Sequence, residues 1–123
     1  MTASNLSGRT AIITGASRGI GLAIAQRLAA DGANVVLTAR KQESADAAAK
    51  QVNGSAIGVA AHAVDEDAAK HCVETTLDRF GSIDILVNNA GTNPAYGPLI
   101  EQDHARFAKI FEVNLWALLT RMS

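Results

Sequence analysis

The stretch TAIITGASRGIG, Thr10 to Gly21, leaves a chain few choices of fold. Thr10-Ala11-Ile12-Ile13-Thr14 is a short, apolar, β-branched run of the kind that forms a buried strand. Gly15, Gly19 and Gly21 follow, and a helical pattern starts at once, with Ile20, Ile24 and Leu28 on one face and Ala23 and Ala29 beside them. Strand, glycine-rich turn and helix make the first unit of a nucleotide-binding βαβ fold. A pyrophosphate has to sit close to the main chain, where a Cβ would block it. The N–H groups at a helix start carry partial positive charge and bind an anion. On this reading Gly15 makes the sharp exit from the strand, Gly19 lets the phosphates approach and Gly21 lets the helix pack closely. The spacing is G-x-x-x-G-x-G and not G-x-G-x-x-G.

The rest of the chain alternates in the same way. Gly19 to about Ala30 reads as a helix closed by Asp31-Gly32, and Asn34 to Thr38 as a second strand. Lys41 to Val52 is an alanine-rich helix ended by Asn53-Gly54, and Ser55 to Ala61 a weaker third strand. Glu66 to Phe80 is a third helix, with Asp65 as its N-cap and Gly81 as its stop. Ile83 to Val87 is a fourth strand that runs into Asn88-Asn89-Ala90-Gly91. A loop with Pro94, Gly97 and Pro98 follows, and a helical pattern is expected from near Asp103 to the end. Strands separated by helices of this length pair in parallel through right-handed crossovers. The expected fold is an α/β Rossmann-type doubly wound sheet with strands in the order 3-2-1-4 and a ligand crevice at the carboxyl ends of strands one and four.

A chain of 123 residues suits one domain and one core. A net charge of −1 gives no bulk attraction to nucleic acid or to an anionic membrane. No apolar run approaches the ~18 residues of a membrane span. Met1 to Arg9 is polar and lacks a secretory core, which points to the cytoplasm. Cys72, the only cysteine, reads as a small buried apolar group. His71 and Cys72 are adjacent and His104 is remote, so no metal is expected.

The end of the second strand bears on the cofactor. An NAD site offers a carboxylate about 20 residues after the glycines, to bond the ribose 2′-hydroxyl. Here Ala39-Arg40-Lys41 stand in that place, Glu43 lies inside the next helix, and Arg18 sits in the glycine turn. Guanidinium groups suit a 2′-phosphate, which they bind through paired hydrogen bonds. The expectation is NADP(H) in preference to NAD(H). A response-regulator-like domain would need an acceptor aspartate ending the first or third strand, and neither strand has one.

Thr14-Gly15-Ala16-Ser17-Arg18-Gly19-Ile20-Gly21, Asn88-Asn89-Ala90-Gly91 and Phe111-Glu112-Val113-Asn114-Leu115 together resemble the short-chain dehydrogenase/reductase family. The resemblance runs from about Leu6 to Ser123. Its basic positions are similar to the NADP(H) group, which includes 3-oxoacyl-carrier-protein reductases and related carbonyl reductases. The resemblance implies that Gly15, Ser17, Arg18, Gly19, Ile20 and Gly21 hold the phosphates, Arg40 the 2′-phosphate, and Asn88, Ala90 and Gly91 the riboses. It implies that Asn114 is the asparagine of the catalytic tetrad, on a helix whose Phe107, Ile110, Phe111 and Leu118 share its face. The position beside the adenine, where the family often has aspartate, falls on His62 with Ala63 after it.

The family's serine and its Tyr-x-x-x-Lys pair have no counterpart. The single tyrosine is Tyr96, four residues before Ile100. The expectation is therefore that residues 1–123 are the N-terminal part of a single dinucleotide-binding domain, with the catalytic half absent. Such a piece would be poorly soluble and inactive alone, with strand four left as an apolar edge. The whole enzyme would be a homodimer or homotetramer acting on a small carbonyl or alcohol whose identity the sequence does not specify, although Tyr96 could border its pocket. A catalytically inactive dinucleotide-binding module of the same fold is the alternative.

Overall fold

The computed structural model describes residues 5–61, 65–89 and 111–114. Strands β1 (Thr10–Ile13), β2 (Asn34–Ala39), β3 (Ala56–Ala60), β4 (Ile85–Asn88) and β5 (Phe111–Asn114) form one sheet in the order β3-β2-β1-β4-β5. Every pairing is parallel. Helices α1 (Gly19–Ala30), α2 (Gln42–Lys50) and α3 (Glu66–Phe80) connect the first four strands. The expected 3-2-1-4 order is thus present, with one further strand added beside β4.

Alternation along the strands sends neighbouring side chains to opposite faces. Ala11, Ile13, Val35, Leu37 and Val87 pack with Ala25 and Ala29 of α1 and Ala48 of α2. Ile12, Val36, Val59 and Leu86 pack on the other face with Ala69, Cys72, Val73 and Leu77 of α3. The central strands are apolar on both faces because helices cover both, as parallel sheets require. Cys72 lies fully buried in the α3 layer, as its sequence context suggests.

Local signals end the elements where the sequence places them. Asp65 caps α3 through its Oδ1, which accepts the Ala68 amide at 3.1 Å. Gly81 ends α3 in the left-handed region, at φ 86°. The opposite end of the sheet from the glycine turn is fastened by Asp84, whose Oδ2 accepts from the Thr10 amide at 2.9 Å and from Ser82 Oγ at 3.1 Å.

Two expectations change. Phe111–Asn114 is a strand paired with Ile85–Asn88, not part of a helix, and β4 is consequently not an edge. Unpaired N–H and C=O groups along β4 would otherwise lack partners, and alternating Phe111 and Val113 suits a pleated surface. The other residues expected in that last helix lie outside the described residues. Among the described residues, no helix is long and apolar enough to cross a membrane.

The backbone of α2 lies directly on β3 at Gly58. A Cβ there would overlap the carbonyl carbon and oxygen of Ala45. Gly58→Ala is expected to lower unfolding stability by about 2 kcal/mol, the typical cost of forcing extra volume into a packed contact. A urea titration that leaves the midpoint unchanged would contradict this close approach.

Candidate functional site

The glycine turn lies at the carboxyl end of β1, between β2 and β4. Gly15 has φ 59° and Gly19 φ 66°, both in the left-handed region that disfavours side chains. A Cβ on Gly19 would meet nothing within 4 Å, so the space over it is open. Gly21 differs. A Cβ there would lie 2.6 Å from Asn89 Nδ2 and 2.8 Å from Gly15 O. Its bare Cα brings α1 against the turn itself and against the residue after β4.

Hydrogen bonds from both neighbouring strands hold this turn. The Gly15 amide donates to Thr38 Oγ1 at 3.3 Å and the Ala16 amide to Thr38 O at 2.9 Å. Thr14 Oγ1 accepts the Asn89 amide at 3.1 Å and shares its own proton between Val87 O, at 3.4 Å, and Asn88 Oδ1, at 3.5 Å. Asn89 Nδ2 donates to Gly15 O at 2.9 Å. Gly15 therefore supplies the turn's shape while its amide is committed to β2. The amides left to face an anion are those of the next residues, from Ser17 to the start of α1. The N-cap residue Arg18 is extended, and no side chain caps the helix. The first N–H groups of any helix lack an intrahelical acceptor, so here they face outward with partial positive charge.

Beside the turn is a cleft of about 520 Å³ lined by Ser17, Arg18, Ala39, Arg40, Lys41, Ser44 and Ala47. It joins the glycine turn to the carboxyl end of β2 and the first turns of α2. Its charged lining is cationic. Glu43, the acid nearest in sequence, is not among the lining residues. Ile20 is 48% exposed at the start of α1, so an apolar surface borders the turn.

The structure thus gathers Gly15, Ser17, Arg18, Gly19, Ile20, Gly21 and Arg40 at one end of the sheet. Asn88 is buried at the same end, and the backbone of Asn114 lies opposite it in the ladder. Asn114 reaches that end on a strand and not on the expected helix. His62, Ala63, Ala90, Gly91 and Tyr96 lie outside the described residues. Sequence reasoning missed Thr38; it gave Asn88 and Asn89 as amides able to bond neighbouring backbone, but not Gly15 as the partner of Asn89. An Asn-Asn pair at a strand end was a signal for such bonds, whereas a threonine inside a β-branched strand carries none. Among the described residues, no group of three or more His, Cys, Asp or Glu side chains is placed to hold a metal ion.

A family model described as short chain dehydrogenase matches residues 9–123. Dehydrogenase/reductase SDR family member 4 of Caenorhabditis elegans is 44% identical over 89% of this chain and 44% of its own length. Tropinone reductase-like 3 of Erythroxylum coca is 37% identical over 95% of this chain and 46% of its own length. The chain thus spans somewhat less than half of these relatives. The crystal structure of a dehydrogenase/reductase from Sinorhizobium meliloti 1021 superimposes with a TM-score of 0.66 at 43% identity, covering 72% of this chain and 37% of that one.

Thr14→Val tests the bracket. It keeps the shape and removes a buried hydroxyl with partners on β4 and on Asn89. A loss of about 1 kcal/mol is expected in chemical denaturation, since it removes the hydroxyl that accepts from the part-buried Asn89 amide and leaves that amide only its longer bond to Val87 O. A loss within error would show that the hydroxyl does not hold the two strand ends together.

Proposed function

The chain belongs to the short-chain dehydrogenase family, and from that premise we propose that it is the dinucleotide-binding part of an NADP(H)-dependent oxidoreductase. The cofactor, when bound, supplies or accepts the hydride. The substrate class is a small carbonyl compound or secondary alcohol, with the 3-oxoacyl and related carbonyl reductases as the model. A homodimer or homotetramer is the proposed assembly of the whole protein.

The single observation that carries the cofactor reading is the cationic cleft. The fit is chemical: the bare Cα of Gly19 leaves an open space that a side chain would fill, in a turn that Gly15 and Gly21 shape and pack. The helix start behind them is uncapped and offers amides to a diphosphate. One step along, Arg18, Arg40 and Lys41 surround a space with no carboxylate in its lining. A ribose 2′-hydroxyl would find no acceptor side chain of the usual kind there, whereas a 2′-phosphate dianion would meet guanidinium groups that bind it with paired hydrogen bonds. Ser17 and Ser44 add hydroxyl donors from the two sides. Asn88, with Asn114 across the ladder, lies at the end of the sheet where the riboses would lie.

Proton transfer to or from the substrate needs an acid–base group that the described site does not hold. Tyr96 has Ile100, not a lysine, one helical turn on. We therefore propose that residues 1–123 bind the dinucleotide and do not turn over substrate by themselves.

Titration of the chain with NADPH and with NADH tests the cofactor reading, with Arg40→Ala as the variant. Removing one charge-assisted contact to a phosphate is expected to weaken NADPH binding by about 10- to 100-fold and NADH binding by less than about twofold. Tighter binding of NADH than NADPH by the unaltered chain would overturn the preference.

A further inference from the structure

Gln42 stands at the first position of α2, directly after Arg40 and Lys41, and both ends of its side-chain amide are bonded. Its Nε2 donates to Gly58 O at 2.8 Å and to Asp46 Oδ1 at 2.7 Å. Its Oε1 accepts the Ala60 amide at 3.0 Å. Gly58 and Ala60 are alternate residues of β3, and β3 is the edge strand on that side. The carboxamide therefore occupies the place of a neighbouring strand: it takes one donor and one acceptor of the open ladder, and the fork of its own side chain sets the spacing.

The location gives this clamp a consequence for the cleft. The N-cap of α2 is Lys41, and no side-chain cap holds it. An uncapped first turn frays, because its leading amides gain nothing by staying helical. Here the tie from Gln42 to β3 holds that turn instead. On the other side of the Arg40–Lys41 turn, Ala39 O accepts the Ala61 amide at 2.8 Å, so the turn is fastened to β3 both before and after the two cations. Behind it, the backbone contact between Gly58 and Ala45 sets the height of α2 over the sheet. Gln42 then fixes how far the helix start can slide or rotate over that contact.

We infer that Gln42 is a positioning residue for the 2′-phosphate: by clamping the start of α2 to β3, it holds Arg40 and Lys41 at the mouth of the cleft, and dinucleotide selectivity depends on it although it does not line the cleft. The inference rests on the NADP(H) reading above. Its chemistry is separate from the charge of Arg40, because no charged group is altered when Gln42 is replaced.

The test is Gln42→Met, which keeps the length and helix preference of the side chain and removes its three hydrogen bonds. Dissociation constants for NADPH and NADH are measured by titration calorimetry on the unaltered chain and the variant, with the unfolding midpoint read in parallel. The expected result is a five- to tenfold loss of NADPH affinity with NADH affinity changed less than twofold, and faster hydrogen exchange at the Ala60 amide. Where Gln42→Met does not fold, Gln42→Asn serves, since its carboxamide is one methylene short of β3; the same split is expected. Equal losses for both dinucleotides, or an unchanged ratio, would reduce Gln42 to a stabilising contact and overturn the assignment. An unaltered chain that prefers NADH would overturn the cofactor reading and this assignment together, whereas a chain selective for NADPH with an unchanged ratio in the variant overturns this assignment alone.

Discussion

A turn that must leave its amides for an anion has to be held in shape by other bonds. Here those bonds come from the two strands that flank β1. Thr38 on β2 takes the amides of Gly15 and Ala16, while Asn89 beyond β4 takes the carbonyl of Gly15 and the hydroxyl of Thr14. The turn is thus fixed from the sides, and the helix start beyond it keeps its amides. Gly21 is the steric condition for this arrangement, since a side chain there would push Asn89 off Gly15. Glycine is needed twice in the turn for conformation, at Gly15 and Gly19, and a third time for room.

The parallel sheet concentrates these parts at one end. The strands all run in the same direction, so the carboxyl ends of β2, β1 and β4 converge with the starts of α1 and α2. Small residues make the layers thin enough for that convergence: Ala25, Ala29, Ala45 and Ala48 let α1 and α2 lie close to the strands below. The polar groups at the amino ends serve a different purpose. Asp84 gathers Thr10 and Ser82, and its ion pair with Arg9 at 3.9 Å is half exposed and adds little. One end of the sheet is closed by its own hydrogen bonds, and the other is left with donors and cations for a ligand.

Much of this was legible in the sequence, for local reasons. The strand-turn-helix unit at Thr10 to Ala30, the cap at Asp65 and the stop at Gly81 are written in neighbouring residues, and local chemistry forms them. The cations of the cleft were legible for the same reason, because Arg18, Arg40 and Lys41 stand beside recognisable element boundaries. What escaped is non-local. Asn89 and Gly15 are 74 residues apart, and although an Asn-Asn pair at a strand end signals side-chain-to-backbone bonds, nothing in either neighbourhood names the other as partner. Gln42 reads as an ordinary polar residue at a helix start until β3 is laid beside it. Phe111–Asn114 alternates apolar and polar residues over only four positions, too short a run to stand out from the apolar helical pattern around it. Pairing with the open ladder of β4 decides for strand, a tertiary effect that no short window contains.

The proposed site has the backbone amides from Ser17 to Gly21 grip a diphosphate while those of Gly15 and Ala16 remain bonded to Thr38. Amide-resolved NMR of the chain titrated with inorganic pyrophosphate tests it without help from the adenosine or nicotinamide. Large, saturable shifts confined to Ser17, Arg18, Gly19, Ile20 and Gly21, with Gly15 and Ala16 still protected from exchange, are the predicted result. Shifts centred elsewhere, or none at saturating pyrophosphate, would contradict it.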